Sequence, residues 1–231
     1  MSGVPSTAVA DVLQLRGETG WLSPPLRPMT ICAPAMGTAR TVRLAPGPGP
    51  SGLGPLRELL ATDLAGRVVV IADAGHAAGA VWGEILSLAA RGRGAVGVLV
   101  DGAVRDLLAL DRIGLPVWAR KRATAGPGPE VHVAEIGGPC TIGAVSLNDG
   151  DRIVMDTGGV VALRMRSSAE VLAAAAAYAR AEEEVTAALE AGHDLGTAYS
   201  HKSAVVARLR AELTATPPSP SPLSRGVSRT V

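Results

Sequence analysis

RVVVIADAGHAAGAVWGEILSLAARGRGAVGVLVDGAVRDLLALDRIGLPVWAR (67–120) decides the fold. Short apolar runs alternate here with segments of helical spacing, the signature of βα units around a largely parallel sheet. RVVVIA (67–72), AVGVLV (95–100) and LPVWA (115–119) read as buried strands, since their apolar residues run with almost no polar interruption. AVWGEILSLAAR (80–91) reads as a helix with Trp82, Ile85, Leu86 and Ala89 on one face. AVRDLLALDRI (103–113) is a second helix, stopped by Gly114.

On the amino-terminal side, STAVADVLQL (6–15) predicts a short lid or packing helix opened by Ser6 or Thr7. TARTVRL (38–44) alternates as a strand with one buried face does, and PGPGPSGLGP (46–55), eight of whose ten residues are Pro or Gly, predicts a surface loop or hinge. On the carboxyl side, residues 120–140 are loop-like and 141–165 predict two or three strands around the turns LNDGD and TGG, an antiparallel section after the βα section. Ser167 and Glu170 have capping-box spacing ahead of an Ala-rich helix running to about Ala191 and ended by Gly192. Its apolar stripe is Val171, Ala175, Tyr178, Val185 and Leu189. A further helix is expected over 197–213, and TPPSPSPLSRGVSRTV from 216 is too rich in Pro and Ser to pack, so disorder is expected there. The organisation predicted is one domain over 1–192, a helical extension over 193–215 and a tail over 216–231.

Composition removes several classes of function. The 231 residues are 47% apolar, enough for a sizeable core, and a formal charge of +1 leaves no excess of cations for a phosphate backbone. Three Trp, two Tyr and no Phe make stacking platforms for nucleic acid scarce, so no nucleic-acid partner is expected. Cys32 and Cys140 have neither CxxC nor Cys/His ligand spacing, and both read as buried free thiols. The amino terminus lacks a basic segment followed by an apolar one, and no run of 18 apolar residues occurs; a soluble cytoplasmic protein with no membrane partner is expected. A loose DAGHAAG after the first strand, without the Gly-rich fingerprint, argues against a nucleoside cofactor and so against methyl transfer.

Chemistry is expected beyond the carboxyl ends of the strands, where open α/β sheets gather ligands. In DAGHAAGAVWGEIL (73–86), the successive amides of Gly83, Glu84, Ile85 and Leu86 would cup a carboxylate if the helix began at Gly83; a helix already running from Ala80 would tie those amides up. His76 in the same segment is a candidate to face substrate. In DGAVRD (101–106), Arg105 suits a bidentate carboxylate contact and Asp106 a hard divalent cation, although the pair also reads as a solvated helix start, its side chains about 100° apart. The other histidines, His132, His193 and His201, read as structural or solvent-facing.

GEIL (83–86), GVLVDGAVRD (97–106) and GLPVWAR (114–120) closely resemble the RraA-like family, which includes 4-hydroxy-4-methyl-2-oxoglutarate aldolases that also decarboxylate oxaloacetate. STAVADVL (6–13), WLSPPLRPM (21–29), GTARTV (37–42) and DGDRIVMDTGGVVAL (149–163) extend the resemblance to roughly residues 5–192. It implies an α/β sandwich of the swivelling phosphohistidine-domain type, assembled as a homotrimer or hexamer. It also implies substrate binding by the amides of Gly83, Glu84, Ile85 and Leu86, a pyruvyl contact from Arg105, and Mg2+ or Mn2+ on Asp106. A carboxylate from a neighbouring subunit's carboxy-terminal helix completes that pattern, and of Glu182, Glu183 and Glu184 we take Glu182, which interrupts the apolar stripe.

The function expected is a divalent-metal-dependent lyase that forms pyruvate from a 4-hydroxy-2-oxo acid by retro-aldol cleavage, from oxaloacetate by decarboxylation, or both. Both reactions pass through an enolate, which a cation and a guanidinium stabilise. No Schiff-base lysine is needed, and neither Lys121 nor Lys202, the only lysines, follows a buried strand in the way such a nucleophile would. Two alternatives accompany this reading. One is a non-catalytic regulator that binds a ribonuclease; the other is a family member recruited to a specialised pathway with an altered substrate, suggested by the unusual RKRATAGPGPEVHV (120–133).

Overall fold

A computed structural model describes residues 3–22, 26–31 and 33–215. The expected tail from 216, and the free thiol expected at Cys32, lie outside the described residues. The chain divides at Ala179/Arg180 into two units. The first is built on a mixed nine-stranded sheet, whose strands are β1 (Arg27–Pro28), β2 (Ala35–Pro46), β3 (Arg67–Ala72), β4 (Ala80–Trp82), β5 (Gly97–Val104), β6 (Val117–Arg122), β7 (Val131–Ile136), β10 (Arg152–Asp156) and β11 (Gly159–Leu163). β8 (Cys140–Ile142) and β9 (Val145–Leu147) form a separate hairpin. The helices are α1 (Ser6–Leu15), α2 (Gly54–Leu59), α3 (Glu84–Gly92), α4 (Leu107–Ile113), α5 (Met165–Glu190) and α6 (Leu195–Ala215).

The sheet runs β1-β6-β5-β3-β2-β10-β11, with β2, β3, β5 and β6 parallel and β1, β10 and β11 antiparallel additions. β7 adds antiparallel to the second half of β2, and β4 adds parallel to the last residues of β5. The central strands read as unbroken apolar runs because both faces are covered. Val69, Ile71, Val98, Val100 and Val117 meet Leu56 and Leu59 of α2, Ala90 of α3 and Leu110 and Ile113 of α4. Val68, Val70, Leu99 and Trp118 pack instead with Cys140, Ile142, Val145 and Leu147 of the β8–β9 hairpin. One face is thus helical and the other is closed by β structure.

Several expectations change here. β6 runs on to Arg122 and 131–136 form β7, so the loop expected over 120–140 shrinks to its middle. The section from 140 to 163 holds four strands rather than two or three, and TGG makes the tight β10–β11 turn that pairs Asp156 with Gly159. The helices at either end of this unit are capped from the hairpin region rather than by their own residues. Asp156 accepts Ser6 N at 2.7 Å and Ser6 Oγ at 2.6 Å, and Pro5, not Ser6 or Thr7, is the N-cap. Asp151 accepts Met165 N at 3.2 Å, so α5 starts before Ser167, and Glu170 pairs with Arg16 at 2.5 Å instead of closing a capping box.

In the second unit, the last turns of α5 and the whole of α6 are joined by Lys202–Glu182 at 2.6 Å and His201–Glu184 at 3.5 Å. Val185 of the expected stripe is buried, whereas Leu189 is exposed. Among the described residues no helix is long and apolar enough to cross a membrane.

Candidate functional site

The site forms where β5 ends. Arg105 N donates to Trp82 O at 3.0 Å, carrying the β4–β5 ladder one residue further and setting where the Arg105 side chain departs. Asp106 follows in the left-handed region at φ 63°, a conformation that costs a non-glycine residue on the order of 1 kcal/mol and that Asp tolerates better than most. Asp73, at the end of neighbouring β3, is the other non-glycine residue with positive φ among those described. Because Val104 belongs to the strand and α4 begins only at Leu107, the helix expected over 103–113 is four residues shorter at its start. The expected divergence of Arg105 and Asp106 on a helix therefore does not arise. Their side chains converge, with Arg105 Nε 3.6 Å from Asp106 Oδ2.

The segment before α3 meets them. Ala80–Trp82 is a strand on β5, not the first turn of a helix, and Gly83 is the N-cap of a helix that starts at Glu84. First-turn amides have no acceptor within their own helix, so the cradle expected at 83–86 has free donors to offer. The amide of Glu84 already leans toward Asp106 Oδ2 at 3.4 Å. A Cβ on Gly83 would lie 2.7 Å from that oxygen and 3.0 Å from Arg105 Cγ, so a side chain here would make Asp106 or Arg105 give way. Trp82 Nε1 donates to Ser87 Oγ at 2.7 Å, both buried, and this bond sets the phase of α3. Ser87 and Ala90 consequently face the core, while Ile85 and Ala89, expected on the buried face, turn outward.

Arg105, Asp106, Leu107, Arg122, Ala123 and Thr124 line a recess of about 320 Å³. A hollow of about 370 Å³ elsewhere, around Met36, Arg91 and Pro116, contains none of the expected site residues. The wall beside Arg105 is the segment singled out by its unusual sequence. Ala123 N bonds Val104 O at 3.0 Å, Ala80 N bonds Ala125 O at 2.9 Å and Ala78 N bonds Pro127 O at 3.1 Å. A Cβ on Gly126 would sit 3.9 Å from Arg105 Nη1. Sequence reading did not nominate Arg122 or Thr124; the basic run at the end of a strand was the available signal.

The remaining nominated residues are placed as follows. Glu182 belongs to the second unit, where the Lys202 ammonium holds its carboxylate. His76 is exposed in a short turn after β3, and His132 Nδ1 lies 3.0 Å from Gly47 O. Asp101 is paired closely with Arg120 across β5 and β6. Cys140 is buried, and burial, aided by the charges of Asp73 and Asp101 against that of Arg43, pushes its thiol up to about 12, which suits an inert free thiol.

The donor chemistry fits a hard divalent cation with most of its shell filled by water. Asp106 offers one carboxylate, 44% exposed, in an open recess, and magnesium characteristically takes only one or two protein carboxylates. No cluster of three or more His, Cys, Asp or Glu side chains suited to a metal occurs among the described residues.

The chain is thus a mixed α/β protein with a polar recess at the carboxyl end of a central parallel strand, the place where open α/β sheets gather ligands. Over residues 6–162 the chain matches the RraA-like (aldolase/RraA) family model, and it belongs to that family. It is 30% identical over 169 residues to a protein of Halalkalibacterium halodurans named provisionally as a 4-hydroxy-4-methyl-2-oxoglutarate aldolase, covering 73% of this chain and 77% of that one. Two solved structures share the fold at 24% identity. An uncharacterised protein of Pseudomonas syringae superposes with a TM-score of 0.75 over 84% of this chain and 92% of its own. Streptomyces coelicolor RraAS2, described as an unusual member of the RNase ES inhibitor RraA family, gives 0.70 over 78% and 90%.

Proposed function

We propose that this protein is a divalent-metal-dependent lyase that releases pyruvate, by retro-aldol cleavage of a 4-hydroxy-2-oxo acid, by decarboxylation of oxaloacetate, or by both. The observation that carries the reading is the meeting of Arg105, Asp106 and the start of α3 at Gly83, whose missing side chain leaves room for both. Aldolase naming among relatives supports it. We also read the fold as the swivelling phosphohistidine-domain type of sandwich, and the protein as cytoplasmic.

In this reading Arg105 and the amides of Gly83, Glu84, Ile85 and Leu86 hold the carboxylate and carbonyl of the pyruvyl half. Mg2+ or Mn2+ on Asp106 would supply positive charge next to the oxygen that becomes negative. The guanidinium faces that same oxygen, so the chain itself stabilises the developing enolate without forming a covalent bond to it. In aldol cleavage the 4-hydroxyl proton leaves toward a water held by a carboxylate, and Glu182 of a neighbouring subunit is the proposed positioning group once it exchanges its Lys202 partner. Ile85 and Leu108 expose 77% and 76% of their surface beside the site, and a second copy of this chain, in the proposed homotrimer or hexamer, would cover them.

Pyruvate release from oxaloacetate and from a 4-hydroxy-2-oxo diacid, measured with magnesium and then with excess chelator, tests the proposal. Activity falls by at least about 100-fold on chelation and in Arg105→Ala and Asp106→Ala. The fold shared with an RNase inhibitor favours a second reading, a non-catalytic regulator. Absence of turnover on all such acids, together with tight binding of a ribonuclease, selects it; turnover only of a different oxo acid selects a recruited enzyme with an altered substrate.

A further inference from the structure

We infer that Arg122 is a specificity-determining residue, receiving the second carboxylate of a dicarboxylic substrate whose 2-oxo end rests on Arg105. This inference rests on the lyase reading and deepens it. β5 and β6 are parallel neighbours with Val104 opposite Arg122, and the carboxyl ends of both strands border the same recess. Arg105 and Arg122 both line it, along with Thr124 and Asp106, its single acidic residue. Arg122 is exposed and has no ion-pair partner among the described residues, whereas Arg120, two residues earlier, is committed to Asp101. Ala123 N is bonded to Val104 O at 3.0 Å, which holds the chain next to Arg122 against the end of β5.

Two guanidinium groups and one carboxylate leave the recess with a net positive charge. A monoacid bound at Arg105 would leave the second guanidinium without a partner; a diacid satisfies both, since each guanidinium presents paired donors that match a carboxylate. The consequence separates the two candidate reactions. In retro-aldol cleavage the C3–C4 bond breaks and its electron pair moves into the pyruvyl enolate. The C4 hydroxyl loses its proton and becomes a carbonyl, and C3 takes up a proton to give pyruvate. A carboxylate carried on the C4 side is a spectator throughout, so a cation on it costs the reaction nothing. In oxaloacetate decarboxylation the distal carboxylate itself leaves as neutral CO2, and a cation holding its charge resists that loss. Arg122 thus favours aldol cleavage of a diacid over decarboxylation.

The test measures binding of 2-oxoglutarate and of 2-oxobutyrate, a diacid and a monoacid with the same 2-oxo end, by calorimetry in the presence of magnesium, for wild type, Arg122→Gln and Arg122→Lys. Wild type prefers the diacid about ten-fold or more; Arg122→Gln removes most of that preference and Arg122→Lys restores part of it, the size expected for one charge-assisted contact at an open site. In turnover, Arg122→Gln lowers kcat/KM on a 4-hydroxy-2-oxo diacid more than on the corresponding monoacid, and raises the ratio of decarboxylation to aldol cleavage. A diacid preference that survives Arg122→Gln overturns the inference and leaves the lyase reading standing. Failure of the wild type to bind either oxo acid overturns both.

Discussion

Gly83 and Asp106 lie so close that a single methyl group on the glycine would stand 2.7 Å from the carboxylate oxygen of the aspartate. Gly83 has an extended backbone that any residue adopts, so its importance lies in the space beside it. Gly83→Ala must displace Asp106, Arg105 or the start of α3. A misplacement of about 1 Å costs on the order of 100-fold in rate when it falls on groups that position a substrate. We expect Gly83→Ala to lose that much kcat/KM in pyruvate release while its far-ultraviolet circular dichroism stays that of the parent. Full activity in a folded Gly83→Ala would show that the three groups need not meet.

The βα alternation was legible because the central strands are buried on both faces and so contain little but aliphatic residues. Arg105 and Asp106 were legible as residues, but not in their arrangement. Ala80–Trp82 looks helical in isolation, since Trp82, Ile85, Leu86 and Ala89 keep helical spacing. What makes it a strand is pairing of Ala80 with Ala103 and Trp82 with Val104, partners more than twenty residues away. The same pairing prolongs β5 and holds Arg105 and Asp106 off the helix. Caps supplied by Asp151 and Asp156 were hidden for a similar reason: local spacing says nothing of a carboxylate arriving from another segment. Arg122 is hidden because 120–140 reads as loop, and a loop gives no register that would set Arg122 opposite Val104.

Gly79 tests whether the 123–128 segment matters to the site it borders. A Cβ there would meet Ala125 O at 2.3 Å and Gly126 O at 2.4 Å, both backbone atoms that cannot rotate away. Gly79→Ala should push the segment from Arg105. A cost of about 1–3 kcal/mol is expected from such overpacking, read as a lower thermal midpoint. If the segment shapes the recess, KM for a diacid rises by more than KM for a monoacid; equal changes would make the segment a mere cover.

Asp151 is a structural carboxylate with an unusual load. It is 5% exposed and accepts from Asn148 N at 2.8 Å, Arg164 Nη1 at 2.9 Å and Met165 N at 3.2 Å. Asp151→Ala removes the cap of α5 and strands three donors at once. A loss of about 2 kcal/mol is expected for a buried carboxylate that serves two backbone amides and a partly exposed guanidinium, equivalent to roughly 4–8 °C in a domain of this size. Differential scanning calorimetry measures it, and a change under about 2 °C would mean that water replaces the carboxylate.

Cys140 gives the pH dependence a definite sign. Burial raises its thiol from 9.0 to about 12, so the unfolded chain releases this proton first. Its contribution to stability is whole below pH 9 and is lost as the pH climbs from there toward 12. In a Cys32→Ser background, which leaves Cys140 as the sole thiol, an aromatic disulfide reagent at pH 8 should react with the native protein at least about 100 times more slowly than with the chain in denaturant, since only the thiolate attacks. Unfolding free energy should fall between pH 9 and 11 in that variant and fall less steeply when Cys140→Ala is added. Rapid labelling of the native state, or identical pH slopes in the two variants, would place the sulfur in contact with water and remove the β8–β9 hairpin as the cover of that face of the sheet.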